Sequence, residues 1–215
     1  MDSYDDISST TMDNVYDNIV KSNNNINFQS SPDSSDTWEY TMRRDRQEIV
    51  PGIYLGPYSS ATRSKINELH QDGITHIICV RDESESKFIK PNFPGQIQYM
   101  VLNISDNFFQ AIIPFFSQVK DFINDCLNKH GKVLVHGNAG ISRSASLVIS
   151  YLMDVSELSY PHALALVQSK RYCVHPNPNF QRQLLEYEPI LRAQNVMRNF
   201  PSKRGHELIE EAITG

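Results

Sequence analysis

Val133-Leu134-Val135-His136-Gly137-Asn138-Ala139-Gly140-Ile141-Ser142-Arg143-Ser144 is the stretch on which the fold turns. Its aliphatic opening reads as a short strand over 132–135, buried if Val133, Leu134 and Val135 all face protein, as in a parallel sheet. Small residues follow, and then an apolar run over 144–153 that reads as a helix. A strand, a small-residue loop and a helix in that order make an anion nest. Backbone N–H groups turn inward, and the helix adds its positive end. Gly140 lets the backbone turn tightly. Arg143 stands at the helix start, where its planar fork matches two oxygens of one phosphate group. The arrangement suits a phosphate dianion.

The elements around this stretch alternate between strand and helix. Residues 49–55 read as a short strand or hairpin turning at Pro51-Gly52. Ser59 and Ser60 are expected to cap a helix running to about Gln71, with Ile66 and Leu69 inward and Gly73 as its stop. Residues 74–80 and 96–102 read as strands. Asn107 and Gln110 have capping-box spacing, which predicts a long amphipathic helix carrying Ile112, Ile113, Phe116, Val119, Phe122, Ile123 and Leu127, with Pro114 in an early turn and Gly131 at its end. Helices are predicted over 160–170 and from about Pro178 past Arg192. This order predicts an α/β domain.

The chain has 215 residues, 40% hydrophobic and 21% charged, which suits one well-cored domain with some chain to spare. Its net charge of −5 is unevenly placed. The first 40 residues hold eight acidic side chains against Lys21 alone, while the rest carries 19 basic and 17 acidic residues. Residues 1–36 include eight Ser, seven Asp and six Asn, a composition too polar to offset its ordering entropy. We therefore expect a disordered arm over 1–37, a folded domain over 38–198 and a tail over 199–215. The arm's Tyr4-Asp5, Tyr16-Asp17 and Ser31-Pro32 read as phosphorylation sites or as plain linker. Arg43, Arg44 and Arg46 form a small basic cluster at the domain start, either a docking surface for an acidic partner or a solvated face. No dense basic stripe argues for nucleic acid, and no long apolar run argues for a membrane span. The N-terminus resembles neither a secretory signal nor a transit peptide, so cytoplasm or nucleus is the expected location. Cys79, Cys126 and Cys173 fit neither a disulfide framework nor a zinc site, and no metal or organic cofactor is expected.

The Val-His-x-x-x-x-Gly-x-Ser-Arg-Ser pattern of the opening stretch resembles the signature loop of the dual-specificity protein-tyrosine phosphatases. The resemblance covers roughly 38–191. It narrows to pseudophosphatases of that family through Met42-Arg43-Arg44, Gln47-Glu48-Ile49-Val50-Pro51-Gly52, Leu55-Gly56-Pro57-Tyr58-Ser59-Ser60-Ala61 and Ile89-Lys90-Pro91-Asn92-Phe93. It implies the cysteine-phosphatase fold, a twisted central sheet with helices on both faces. In the family, Cys follows the loop His and acts as nucleophile. Here that slot holds Gly137, so a cysteinyl-phosphate cannot form at this position. The resemblance also implies roles for the neighbours. Gly137, Asn138, Ala139, Gly140, Ile141, Ser142 and Arg143 would bind phosphate, with Arg143 as the clamp or, alternatively, the partner of a buried carboxylate. His136 would support the loop or, alternatively, be a satisfied core histidine, and Ser144 would support the loop. Without a leaving thiolate to assist, Ser144 is expected to hydrogen-bond the loop backbone. Asp106 stands in the general-acid position or serves as a helix-start residue.

Losing a thiolate favours a bound dianion. Two unit charges at 4 Å repel by roughly 4 kcal/mol at an effective dielectric of 20. The extra glycine loosens the loop by only about 0.5–1 kcal/mol. Three functions follow as expectations: a non-catalytic module that binds phosphorylated proteins or scaffolds signalling partners; a slow phosphatase using water in place of the thiol; or an interaction protein with a vestigial loop. The partners implied are phosphorylated proteins, a protein kinase or ubiquitin-ligase component among them. A monomer acting in a MAP kinase pathway is the expected setting.

Overall fold

A computed structural model describes residues 38–199. The expected arm and, apart from Asn199, the expected tail lie outside the described residues. In chain order the elements are β1 (Gln47–Val50), β2 (Ile53–Pro57), α1 (Ile66–Gln71), β3 (Ile74–Arg81), β4 (Gln98–Asn103), α2 (Phe116–Asn128), β5 (Lys132–Gly137), α3 (Arg143–Val155), α4 (Tyr160–Lys170) and α5 (Pro178–Asn199). The strands form one sheet in the order β1-β2-β5-β3-β4. All neighbours run parallel except β1, which pairs antiparallel with β2. Their hairpin turns at Pro51-Gly52, where Gly52 has φ +84°, a value that favours glycine.

β5 is the centre of the sheet and its side chains explain why. Val133, Leu134 and Val135 are all fully buried, because helices cover both faces. Val133 and Val135 point into the larger core with α2, α3, α4 and α5. Leu134 points the other way, into a smaller core with Leu69 of α1, Ile77, Phe93 and Ile97. Each such side chain contributes about 1.5–3 kcal/mol of burial, which makes this continuous apolar run the strongest local determinant of the topology. The expected α/β domain, a central sheet with helices on both faces, is what the chain adopts.

Several boundaries differ from expectation. Ser59 and Ser60 cap no helix. Ser59 Oγ donates to the Arg44 carbonyl and Ser60 Oγ to the Pro57 carbonyl, and 3₁₀ turns at Tyr58–Ala61 and Arg63–Lys65 precede the short α1. The Asn107–Gln110 pair is no capping box either. Asn107 holds a turn, the Gln110 side chain accepts from the Ser105 N–H, and helix begins only with the 3₁₀ turn Ile113–Phe115 ahead of α2. Within the basic cluster Arg44 is exposed. Arg46 is held by Asp72, Nε to Oδ2 at 2.7 Å, and Arg43 lies against the Tyr40 ring.

Candidate functional site

The loop after β5 leaves the sheet at the carboxyl ends of the parallel strands, where open α/β sheets place their ligands. Its carbonyls are turned outward one after another. Asn138 O accepts the Tyr58 N–H at 3.1 Å, and Ile141 O accepts the His175 N–H at 2.9 Å. Ser142 O accepts both the N–H (2.8 Å) and the Oγ (2.9 Å) of Ser146. Ala139 O and Gly140 O accept from Arg171, Nη2 at 3.0 Å and Nε at 2.9 Å. Among the described residues, no backbone N–H over 138–142 donates to another protein group. With the carbonyls so committed, these N–H groups are left without a protein acceptor among the described residues. Gly140 is indispensable to this path. Its φ is +67°, and a Cβ there would lie 2.4 Å from the Gly56 carbonyl oxygen.

Arg171 is fully buried and all five of its donors are used. Besides the two loop carbonyls, it donates to the carbonyls of Asp45 (2.8 Å) and Arg43 (3.0 Å) and to the Gln47 side chain. Among the described residues no carboxylate oxygen is in ion-pair contact with it, although the Asp45 charge lies near enough to favour its protonated form. One guanidinium thus ties the back of the loop to the segment that enters β1, and leaves its charge behind the nest.

Arg143, at the start of α3, uses part of its fork. Nη1 donates to Glu85 Oε2 (2.6 Å) and to the Ile104 carbonyl (3.2 Å), and Nη2 donates to Glu85 Oε1 (3.1 Å). This leaves the Nε–H and the second Nη2–H, which share the side-on edge of the guanidinium. That edge is the one a phosphate takes with two parallel bonds. Arg143 is therefore a carboxylate partner whose side-on edge donates no hydrogen bond to the described residues, with the Asp106 carboxylate near its Nε. The Arg143 bonds hold the Glu85 carboxyl below its ordinary range, and the Ser105 and Ser84 hydroxyls hold Asp82 nearby down to about 2.

Asp106 lies at the mouth. Its Oδ1 accepts from Ser142 Oγ (2.8 Å) and Asn177 Nδ2 (2.5 Å), and its Oδ2 stands 4.0 Å from Arg143 Nε. The structure thus brings Asp106 to the loop, as a side chain fixed from two sides. Ser142 Oγ also accepts the Asn177 N–H at 3.1 Å, joining α5's approach to the loop after β5.

Gly137 ends β5 with an ordinary backbone angle. A Cβ built there would meet Ser144 Oγ at 3.3 Å and the Val80 carbonyl at 3.6 Å, a tight but open fit. Ser144 corrects an expectation: its hydroxyl does not bond the loop backbone. It is buried and has no partner among the described residues. It is the nearest atom that a side chain at position 137 would meet. His136 is fully buried beneath the loop. Burial pushes its pKa down to about 4, so it is neutral at pH 7, and Nδ1 lies 3.3 Å from the Gly137 carbonyl.

Two of the three cysteines offer no ready thiolate. Cys79 and Cys126 are fully buried, and burial pushes both thiols up to about 11, far from the thiolate a nucleophile needs. Cys173 follows α4 and is half-buried. Arg171, Glu85 and Asn177 were not singled out by sequence reasoning. An Arg after a Lys at a helix end reads as a solvated cation favoured by the helix dipole, and nothing local distinguishes Glu85 from Glu83.

The chain matches the dual specificity phosphatase catalytic domain over residues 53–190. It is 51% identical over 172 residues to the human serine/threonine/tyrosine-interacting protein, covering 79% of this chain and 77% of that one. It is 42% identical over 151 residues to MAP kinase phosphatase with leucine-rich repeats protein 3 of Dictyostelium discoideum, covering 70% of this chain and 17% of that protein. The crystal structure of the human tyrosine phosphatase-like serine/threonine/tyrosine-interacting protein superposes with a TM-score of 0.68 at 54% identity, covering 68% of this chain and 97% of that one.

Proposed function

The chain belongs to the dual specificity phosphatase family, and on that premise we propose that it is a non-catalytic member that holds phosphorylated Ser, Thr or Tyr side chains of partner proteins without hydrolysing them. One observation carries the reading. The loop over 138–142 keeps every carbonyl outward and its N–H groups free, beside an open Arg143 edge, while the nucleophile position is Gly137. A loop with no ligand to hold has no need of a buried Arg171 committed to its carbonyls. The absent thiolate removes a charge that would repel the dianion. The names of the two curated relatives support a role among phosphorylated signalling proteins. We extend the proposal to protein-kinase or ubiquitin-ligase partners in a MAP kinase pathway, in cytoplasm or nucleus. Among the described residues no helix is long and apolar enough to cross a membrane.

Calorimetric titration with phosphotyrosine and phosphoserine tests the pocket. Wild type is expected to bind at least one of them. Arg143→Ala removes two charge-assisted donors and is expected to weaken binding by roughly 2–4 kcal/mol, about 30-fold or more. Arg143→Ala also frees Glu85, so Glu85→Gln serves as the control for that carboxylate. Undiminished binding by Arg143→Ala would remove the pocket from the account.

A further inference from the structure

The segment over 105–112 is anchored more heavily than a link between a strand and a helix requires. Asn107 Oδ1 accepts from the N–H groups of Phe109 (2.9 Å) and Gln110 (3.0 Å). From behind, Asn179 Nδ2 donates to the carbonyls of Asn107 (3.2 Å) and Gln110 (2.8 Å). Gln183 donates Nε2 to the Gln110 carbonyl (2.8 Å) and accepts the Ile112 N–H (2.7 Å). Asn179 and Gln183 are only 6% and 5% exposed. Two buried amides of α5 are thus committed to one loop, where each must be fully bonded to be tolerated.

What this rigid loop presents outward is apolar. Phe108 is 71% exposed and Phe109 is 96% exposed. Solitary exposed aromatics need no explanation, but two adjacent rings on a pinned tip forgo burial together. The tip starts two residues from Asp106, whose carboxylate touches Ser142 of the phosphate loop. Two residues of extended chain span roughly 7 Å, so the rings stand within reach of a peptide seated in the nest. Phe88 follows Glu85, the partner of Arg143, by three residues and is 75% exposed. A hydrogen bond from Ser105 to Asp82 ties the two segments together.

Charge decides the kind of partner. Residues 105–112 include Asp106 and no Lys or Arg. A loop that enters an anionic membrane surface pairs its aromatics with cations. This one suits an apolar side chain of a protein segment.

Resting on the phosphate-holding reading above, we infer that Phe108 and Phe109 form a preorganised apolar shelf. It selects phosphorylated segments that carry a large apolar side chain two or three residues from the phosphorylated one. Aromatic anchors held rigid before binding contribute affinity with little ordering cost.

The test uses the full chain and Ala/Ser nonapeptides phosphorylated at the central residue, in phosphotyrosine and phosphoserine forms. Each form carries either Leu or Ser at the flanking positions, and inorganic phosphate serves as the probe of the pocket alone. Wild type is expected to prefer the Leu peptide by roughly ten-fold or more. The Phe108→Ser/Phe109→Ser double variant is expected to bring that ratio to about one while inorganic phosphate binds unchanged. Leu185→Ser, at another exposed apolar position on α5, should keep the preference. A preference that survives in the double variant, equal affinity of wild type for both peptides, or no peptide binding where inorganic phosphate binds, each overturns the shelf and leaves the pocket standing. Phosphatidylserine vesicles that bind through Phe108 and Phe109, with no peptide preference, would reassign the tip to a lipid surface and overturn it as well. If wild type binds no inorganic phosphate at millimolar concentration and no peptide, the pocket reading falls and takes the shelf with it.

Discussion

Gly137→Cys is expected to turn the protein into a working phosphatase, raising hydrolysis of an aryl phosphate by roughly 10³-fold or more over wild type. That is a small share of the 10⁶-fold or more that enzymes ordinarily supply. The expectation follows from how little is missing. The backbone at Gly137 is not in the left-handed region, and the new Cβ meets only the Ser144 hydroxyl at 3.3 Å and the Val80 carbonyl at 3.6 Å. The Ser144 hydroxyl has no partner now and gains one in the sulfur. Free loop N–H groups and the Arg143 guanidinium would keep the thiol ionised. The thiolate then attacks phosphorus as the P–O bond to the aryl oxygen breaks, a protonated Asp106 gives that oxygen its proton, and water hydrolyses the cysteinyl-phosphate to inorganic phosphate, returning the thiolate. Adding Arg143→Ala should remove roughly 10²–10³-fold of the gain, the scale of one lost transition-state clamp. A folded Gly137→Cys protein that stays silent would mean that the nest no longer positions a phosphate.

Arg171→Ala is expected to be the most destabilising single change near the site. It strips donors from the carbonyls of Arg43, Asp45, Ala139 and Gly140 and from the Gln47 side chain, all in a fully buried place. Uncovering buried acceptors of charged hydrogen bonds costs about 3–5 kcal/mol. For a domain this size that lowers the melting temperature by roughly 6–20 °C. Phosphate binding should fail along with it, because the Ala139 and Gly140 carbonyls lose the contacts that turn them outward. Arg171→Lys keeps the charge but cannot span five acceptors, and should recover little. A melting temperature within about 2 °C of wild type would show that the loop does not depend on this anchor.

The parts of the fold that could be read from the chain are those whose determinants are local. β5 and the loop after it announce themselves by an apolar run followed by small residues. α4 runs over Tyr160–Lys170 as its pattern predicts, and the β1–β2 turn sits at Pro51-Gly52. The errors came where a local signal serves two structures. An Asn accepting from N–H groups two and three residues on is the same motif in a helix cap and in a free turn. At Asn107 the choice is made by Asn179 and Gln183, some 70 residues away. Ser59 and Ser60 look like caps, but backbone carbonyls take their hydroxyls. In the site, the loop, Arg143 and Asp106 were legible because they sit in one motif or at its expected distance. Arg171, Glu85 and Asn177 act through tertiary contacts that residue type alone does not show.

The central claim is retention of a phosphate ligand without its hydrolysis. Phosphorus NMR of wild-type protein with stoichiometric phosphotyrosine or phosphoserine tests both halves in one tube. The account predicts a displaced and broadened phosphomonoester resonance for at least one ligand. That resonance should return to its free position in Arg143→Ala, and no inorganic phosphate should accumulate over days. An unshifted resonance for both ligands, or inorganic phosphate whose release disappears in Arg143→Ala, would contradict it.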